Sequence, residues 1–189
     1  MPKNSLKKPT VEDLRNAIGK SLPDVIAPNL KVLFVGINPG LYTAAVGHHF
    51  ARPGNRFWPA LYAAGFTSRQ LSPNEERELL KHGYGITNVV NKATLAAHDL
   101  SRDDLIQGGK KLVHSIERYR PRIVAVLGLE AYRKAFDKPE ARLGMQGETI
   151  AGAHVWVLPN PSGLNAHFKP ADYARLFREV RKASEALCE

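Results

Sequence analysis

Thiol chemistry is nearly absent from this chain: its one cysteine, Cys188, stands next to the C-terminus. A lone cysteine excludes an intramolecular disulfide, a Cys-x-x-Cys site and a cysteine-held iron–sulfur cluster. It fits a reducing compartment, and a cytoplasmic location is expected. No run approaches 18 apolar residues, so no segment reads as membrane-spanning. Met1 to Pro9 is basic but has no apolar core of the secretory kind, and reads as a flexible tail with some phosphate affinity. Acidic residues are in short supply too, 18 against 27 lysines and arginines, giving a net charge of +9 and a pI of about 9.8. That imbalance points to a polyanion, nucleic acid before anionic membrane, with a plain solvated basic surface as the alternative. The chain has 189 residues, 43% of them hydrophobic. That is enough for one buried core, so residues 10–189 are expected to form a single domain.

Phosphate-binding loops are missing as well. Gly36-Ile37-Asn38-Pro39-Gly40 lacks the Lys-Ser/Thr ending of a phosphate loop and the G-x-G-x-x-G of a dinucleotide site. No nucleotide cofactor is expected. The adjacent His48 and His49 lack the i, i+4 spacing of a zinc helix and any supporting Cys or Glu pattern, so no metal is expected.

What is present alternates between strand and helix signals. Apolar, β-branched runs over Lys31–Ile37, Gly85–Val90, Ile123–Leu127 and Ala153–Leu158 read as strands. Helices are expected from Val11 to about Lys20 behind Thr10, and from Asn55 onward with Phe57, Trp58, Leu61, Tyr62 and Phe66 at helical spacing. Others are expected from Pro73 to about His82 and from Ser101, which opens a capping box with Asp104. The last two cover Glu130–Phe136 and Pro170 to about Leu187. Gly108-Gly109 inside the Ser101 helix should cost about 1 kcal/mol each relative to alanine, which close packing against a neighbour would explain. Leu41–Asn55 reads as a long loop. The alternation predicts a three-layer α/β/α fold with a mostly parallel central sheet.

Two segments sit where such a fold binds ligands, at the C-terminal ends of strands. Asn38-Pro39-Gly40 suits a type II turn and offers the Asn38 amide, which can accept from a water and donate to a carbonyl. Asn160-Pro161-Ser162-Gly163-Leu164-Asn165 suits a type I turn. Its apolar tip, Leu164, could be an ordinary exposed leucine or a wedge for a base stack. Phe50, between them, reads either as core or as a stacking platform for a base. Arginines at 118, 120 and 122, and at 175, 178 and 181, read as solvated faces or as phosphate contacts.

Taken together these residues resemble the mismatch-specific uracil-DNA glycosylase and thymine-DNA glycosylase family. The resemblance runs from about Leu30 to Val180. It rests on Gly36-Ile37-Asn38-Pro39-Gly40-Leu41, Arg52-Pro53-Gly54-Asn55-Arg56-Phe57-Trp58, Gly85-Ile86-Thr87-Asn88 and Asn160-Pro161-Ser162-Gly163-Leu164. Gly47-His48-His49 is similar to the thymine branch, the Asn160 segment to the bacterial uracil branch. The resemblance implies a monomeric, monofunctional glycosylase that flips and excises uracil, with thymine and ethenocytosine as further candidate bases, from G·U-type mismatches in double-stranded DNA, leaves an abasic site and associates with the nucleoid. Asn38 would hold the attacking water. Phe50, main-chain groups near Ile37, and Asn160 would bind the base. Gly40, Ser162, Gly163, Leu164 and Asn165 would meet the DNA. Relatives commonly carry an acidic residue at the position of Asn91, which bears on substrate breadth, and the family varies at Asn88. A hypoxanthine glycosylase and a mismatch-binding protein with negligible chemistry are the alternatives.

An asparagine cannot take a proton at neutral pH, so Asn38 can orient water but not act as a general base. The implied reaction therefore leans on departure of the base as an anion, and should be slower than with aspartate at this position.

Overall fold

A computed structural model describes residues 6–187. Cys188 and most of the expected basic tail, residues 1–5, lie outside the described residues. The sheet has five strands: β1 (Val32–Gly36), β2 (Tyr84–Asn88), β3 (Ile123–Leu127), β4 (Gly144–Ile150) and β5 (Ala153–Leu158), in the order β2-β1-β3-β5-β4. All pairings are parallel except β4 with β5. Alternation along each strand sends side chains to opposite faces, and each face has its own core. Val32 and Phe34 of β1 join Ile86, Ile123 and Ala125 on one face, under α3 (Phe57–Ala63) and α7 (Pro170–Ala186). Leu33 and Val35 join Val124, Val126 and Val155 on the other, under α5 (Arg102–Tyr119) and α6 (Leu129–Phe136). The expected three-layer α/β/α architecture is the one observed. Among the described residues, no helix is long and apolar enough to cross a membrane.

Several element boundaries differ from the sequence expectation, each for a local reason. Leu41–Asn55 is not all loop: Leu41–Val46 forms α2, bracketed by Gly40 and by Gly47, whose φ of 78° ends it. Six residues without a side-chain cap carry too little periodicity to announce a helix. Gly40 has φ −73°, so it starts α2 and does not take the positive φ of a type II turn. α1 covers only Val11–Asn16, and the Pro73 helix divides into a 3₁₀ turn, Pro73–Glu75, and α4 (Glu78–Lys81). Tyr62, expected inside, is exposed. β4 escapes pattern reading because it is an exposed edge strand, glycine-containing and irregular between Met145 and Thr149. Charge and irregularity are common on such edges.

The paired glycines of α5 have the packing reason anticipated for them. A Cβ on Gly108 would lie 2.3 Å from the Val89 carbonyl oxygen, and one on Gly109 would lie 2.5 Å from that of Ala135. The helix rides directly on the backbone that leaves β2. Gly108→Ala should therefore destabilise the protein by about 1–3 kcal/mol through overpacking, reversing the gain of up to about 1 kcal/mol that helix propensity alone predicts. Urea unfolding checks the sign.

Candidate active site

β1 lies between β2 and β3, so the chain leaves it in one direction and later returns on its other side. Such a switch point opens a crevice beyond the strands' C-terminal ends. There the protein has a cleft of about 520 Å³. Of the sequence-derived candidates, Ile37, Asn38, Gly40, Phe50, Asn160, Ser162, Leu164 and Asn165 line it. Gly163 faces elsewhere: a Cβ there would sit 2.7 Å from the Gly54 carbonyl oxygen, so this residue lets the two loops touch.

Asn38 is oriented by its nitrogen. Nδ2 donates to Thr94 Oγ1 at 2.7 Å and to the Lys92 carbonyl at 3.0 Å, with the Pro39 carbonyl 3.3 Å away. Thr94 in turn donates its hydroxyl proton to the Ala96 carbonyl at 2.7 Å, so its oxygen is left to accept. A backbone carbonyl only accepts. The side chain can therefore face Lys92 only with its nitrogen, and Oδ1 is the atom it offers as an acceptor.

Gly36 is the cleft floor. A Cβ there would come 2.5 Å from Asn88 Oδ1 and 3.3 Å from Phe50 Cζ, so Phe50 and Asn88 flank it. Strand register explains the pairing, because Gly36 of β1 lies opposite Asn88 of β2. Asn88 is 8% exposed, and its Nδ2 is buried with no hydrogen-bond partner among the described residues. An unsatisfied buried donor costs about 1–3 kcal/mol. Here it belongs to a residue lining the cleft.

The Asn160 loop is held from inside and from below. Asn160 Oδ1 accepts the Ser162 N–H at 3.0 Å, and Asn165 Nδ2 donates to the Asn160 carbonyl at 3.1 Å. The Tyr173 hydroxyl donates to that same carbonyl at 2.7 Å. Arg56 Nη1 donates to the Asn165 carbonyl at 2.6 Å and reaches the Ser162 carbonyl at 3.3 Å, while its guanidinium lies over the Tyr173 ring. The loop presents Leu164 75% exposed; on the same cleft, Leu95 is 79% exposed.

Sequence reading missed Thr94, Arg56 and Tyr173 as supports, and gave Asn88 no role. Only the hydroxyl and amide types were visible; their partners are 13 to 109 residues away. Asn91 is not in the cleft lining. Its Oδ1 accepts from Leu22 N at 2.8 Å and its Nδ2 donates to Leu22 O at 2.6 Å, a pairing no carboxylate could complete. The Asn91 departure thus serves the backbone. His48 and His49 bond to Glu76 and to the Pro23 carbonyl, and no described group of three or more His, Cys, Asp or Glu could hold a metal ion. Two of the α7 arginines brace α3: Arg178 and Arg181 donate to the Ala63 and Ala64 carbonyls at its end, and Arg181 also pairs with Glu185, while the exposed Arg175 pairs with Glu179 on its own helix.

Two comparisons bear on this geometry. Residues 23–182 match the family model of the Uracil DNA glycosylase superfamily. The fold is similar to a solution NMR structure from Methanosarcina acetivorans, provisionally named a uracil DNA glycosylase, with a TM-score of 0.56 and 18% identity. That similarity covers 87% of this chain and 99% of the other.

Burial holds the Tyr173 hydroxyl above the usual tyrosine range, against the opposing pull of Arg56. It therefore remains a donor to the Asn160 loop. The folded state retains this proton more tightly than the unfolded chain, so the stability involved is present below the ordinary tyrosine value of about 10. It is lost as pH rises through the raised one. Tyr173→Phe should cost about 1 kcal/mol at neutral pH, and the gap to wild type should narrow in alkali; thermal melts at pH 7 and above pH 10 measure both.

Proposed function

The chain belongs to the uracil DNA glycosylase superfamily, and on that footing we propose that it is a monofunctional DNA glycosylase acting as a monomer on uracil mispaired with guanine in double-stranded DNA. The observation that carries this reading is the cleft itself. An asparagine fixed to present an acceptor stands beside a glycine floor flanked by the Phe50 ring and by the Asn88 amide, whose oxygen faces that floor.

In this reading a mispaired base leaves the stack, at lower cost than a paired one, and lies over Gly36 against the Phe50 ring. Asn88, with Oδ1 toward Gly36, accepts from a ring N–H of the base. As the glycosidic bond breaks, its electron pair goes to the base, and the charge that collects on the ring carbonyls is met by main-chain donors near Ile37. Asn38 Oδ1 accepts from a water, which attacks the cationic sugar carbon. The proton lost from that water passes to solvent or to the departing base, since a neutral amide cannot keep it. Ile37 main-chain groups and Asn160 complete the base edge. Gly40, Ser162, Gly163 and Asn165 meet the DNA backbone, and Leu164 fills the space the base vacates. The net charge of +9 favours this partner.

Aspartate at position 38 would turn an acceptor toward the Lys92 carbonyl. This tempers the expectation that aspartate would simply be faster. Asn88 also supports a second reading, since its amide oxygen suits a ring N–H of hypoxanthine as well as that of uracil.

The test is single-turnover release of base from duplexes with one G·U pair, in EDTA, read as alkali-labile strand breaks. Wild type should cleave. Asn38→Ala should lose roughly 10²-fold or more, Asn88→Ala roughly 10²-fold, and Asn38→Asp should be no faster than wild type. Leu164→Ala should weaken duplex substrates while sparing single-stranded uracil. Tight G·U binding with no release over hours would sink the enzyme reading, and preferential release of hypoxanthine in a competition would replace uracil as the substrate.

A further inference from the structure

We infer that Glu76, a buried carboxylate outside the cleft, is a positioning residue that fixes the Phe50 ring as the surface on which a base stacks. The inference rests on the proposed base-binding role of the cleft.

Glu76 is 8% exposed and follows the 3₁₀ turn Pro73–Glu75. One oxygen accepts the His49 N–H at 2.7 Å, and the other lies 3.0 Å from His48 Nδ1. The second contact pairs the His48 ring with the same carboxyl group. His49 Nε2 is 3.0 Å from the Pro23 carbonyl and must donate to it, while the Trp58 indole N–H donates to the His49 carbonyl at 3.2 Å. The two histidines are thus tied on ring and backbone immediately before Phe50.

Phe50 needs that restraint. Its φ is 53°, in the left-handed region, which is unfavourable for an L-residue and rare for a bulky one. Such conformations persist only where the surroundings over-determine them. Packing supplies part of this, because the Phe50 ring stacks on Phe57 with centroids 4.1 Å apart and planes 24° from parallel. The residue is half-buried, packed against the core with its ring edge toward Gly36. It also borders the cleft and a second hollow of about 540 Å³ beyond the 51–56 loop. A strained backbone between two hollows is held by what precedes it as well as by packing, and Glu76 is the charged group at that point.

A simple stabilising role would give losses independent of Phe50. A positioning role predicts that Glu76 matters only while the ring is there. The experiment is a double-mutant cycle of Glu76→Ala and Phe50→Ala, read as the single-turnover rate on G·U duplex at a temperature where circular dichroism shows every variant folded. Glu76→Ala should slow release about tenfold, and the double variant should be no slower than Phe50→Ala alone. Glu76→Gln keeps an acceptor for the His49 N–H and should recover to within about threefold of wild type. Glu76→Asp, which retracts the carboxylate by one methylene, serves the same cycle if the alanine variant does not fold. Multiplicative losses in the cycle, or a glutamine variant as slow as alanine, would overturn the inference while leaving the glycosylase reading intact. A wild-type protein that releases no base would overturn that reading, and this inference with it.

Discussion

The Asn38 amide nitrogen faces two carbonyl oxygens and a hydroxyl whose own proton is already committed to Ala96. That arrangement depends on strand pairing. Asn38 follows β1 and Lys92 to Thr94 follow β2, and the two strands run parallel, so both exits lie side by side. The pairing continues past the sheet: Val89 N bonds to Gly36 O, Val90 N to Ile37 O and Thr94 N to Pro39 O, with a further bridge between Gly40 and Thr94. The direction of one carbonyl oxygen in the cleft is thereby set by backbone register. A positioning error there could cost two orders of magnitude in a hydrolytic step; a sheet edge is a stiffer support for it than a free loop.

The other wall of the cleft has no strand beside it and is braced by side chains. Arg56, at the start of α3, donates to two carbonyls of the 160–165 loop, and its own N–H bonds to Pro161 O. Tyr173 reaches the same loop from α7. The 51–56 loop and the 160–165 loop then touch at Gly54 and Gly163. Within this bracing Leu164 remains three-quarters exposed. The backbone of the tip is ordered by hydrogen bonds while its apolar side chain has none of the burial that would normally accompany such order.

The sheet, the two faces and the cleft position were legible because they follow from short-range pattern: β-branched runs, helical spacing, and glycine or proline just after a strand. Asn38 and the Asn160 segment could be singled out because each follows a strand, and Phe50 because an aromatic side chain stood between them. The supports were hidden for a different reason. Thr94, Tyr173 and Glu76 are ordinary residue types, and each acts through bonds to a segment distant in sequence. Asn91 shows the same limit from the other side. A departure that looked chemical in sequence is a two-point backbone clamp on Leu22. α2 and β4 were missed because one is too short and the other too exposed for periodicity to register.

Two local costs meet at the cleft floor. Asn88 leaves a buried donor without a partner among the described residues, and Phe50 keeps a left-handed backbone, yet the Asn88 amide oxygen and the edge of the Phe50 ring both come within contact distance of the space above Gly36. Selection for stability alone would remove either cost: a partner for the amide nitrogen, or a glycine at position 50. Both costs instead sit beside the one glycine of β1, where the lack of a side chain keeps the floor of the cleft open. Backbone strain and unmet hydrogen bonding collect where a fold serves something other than its own packing.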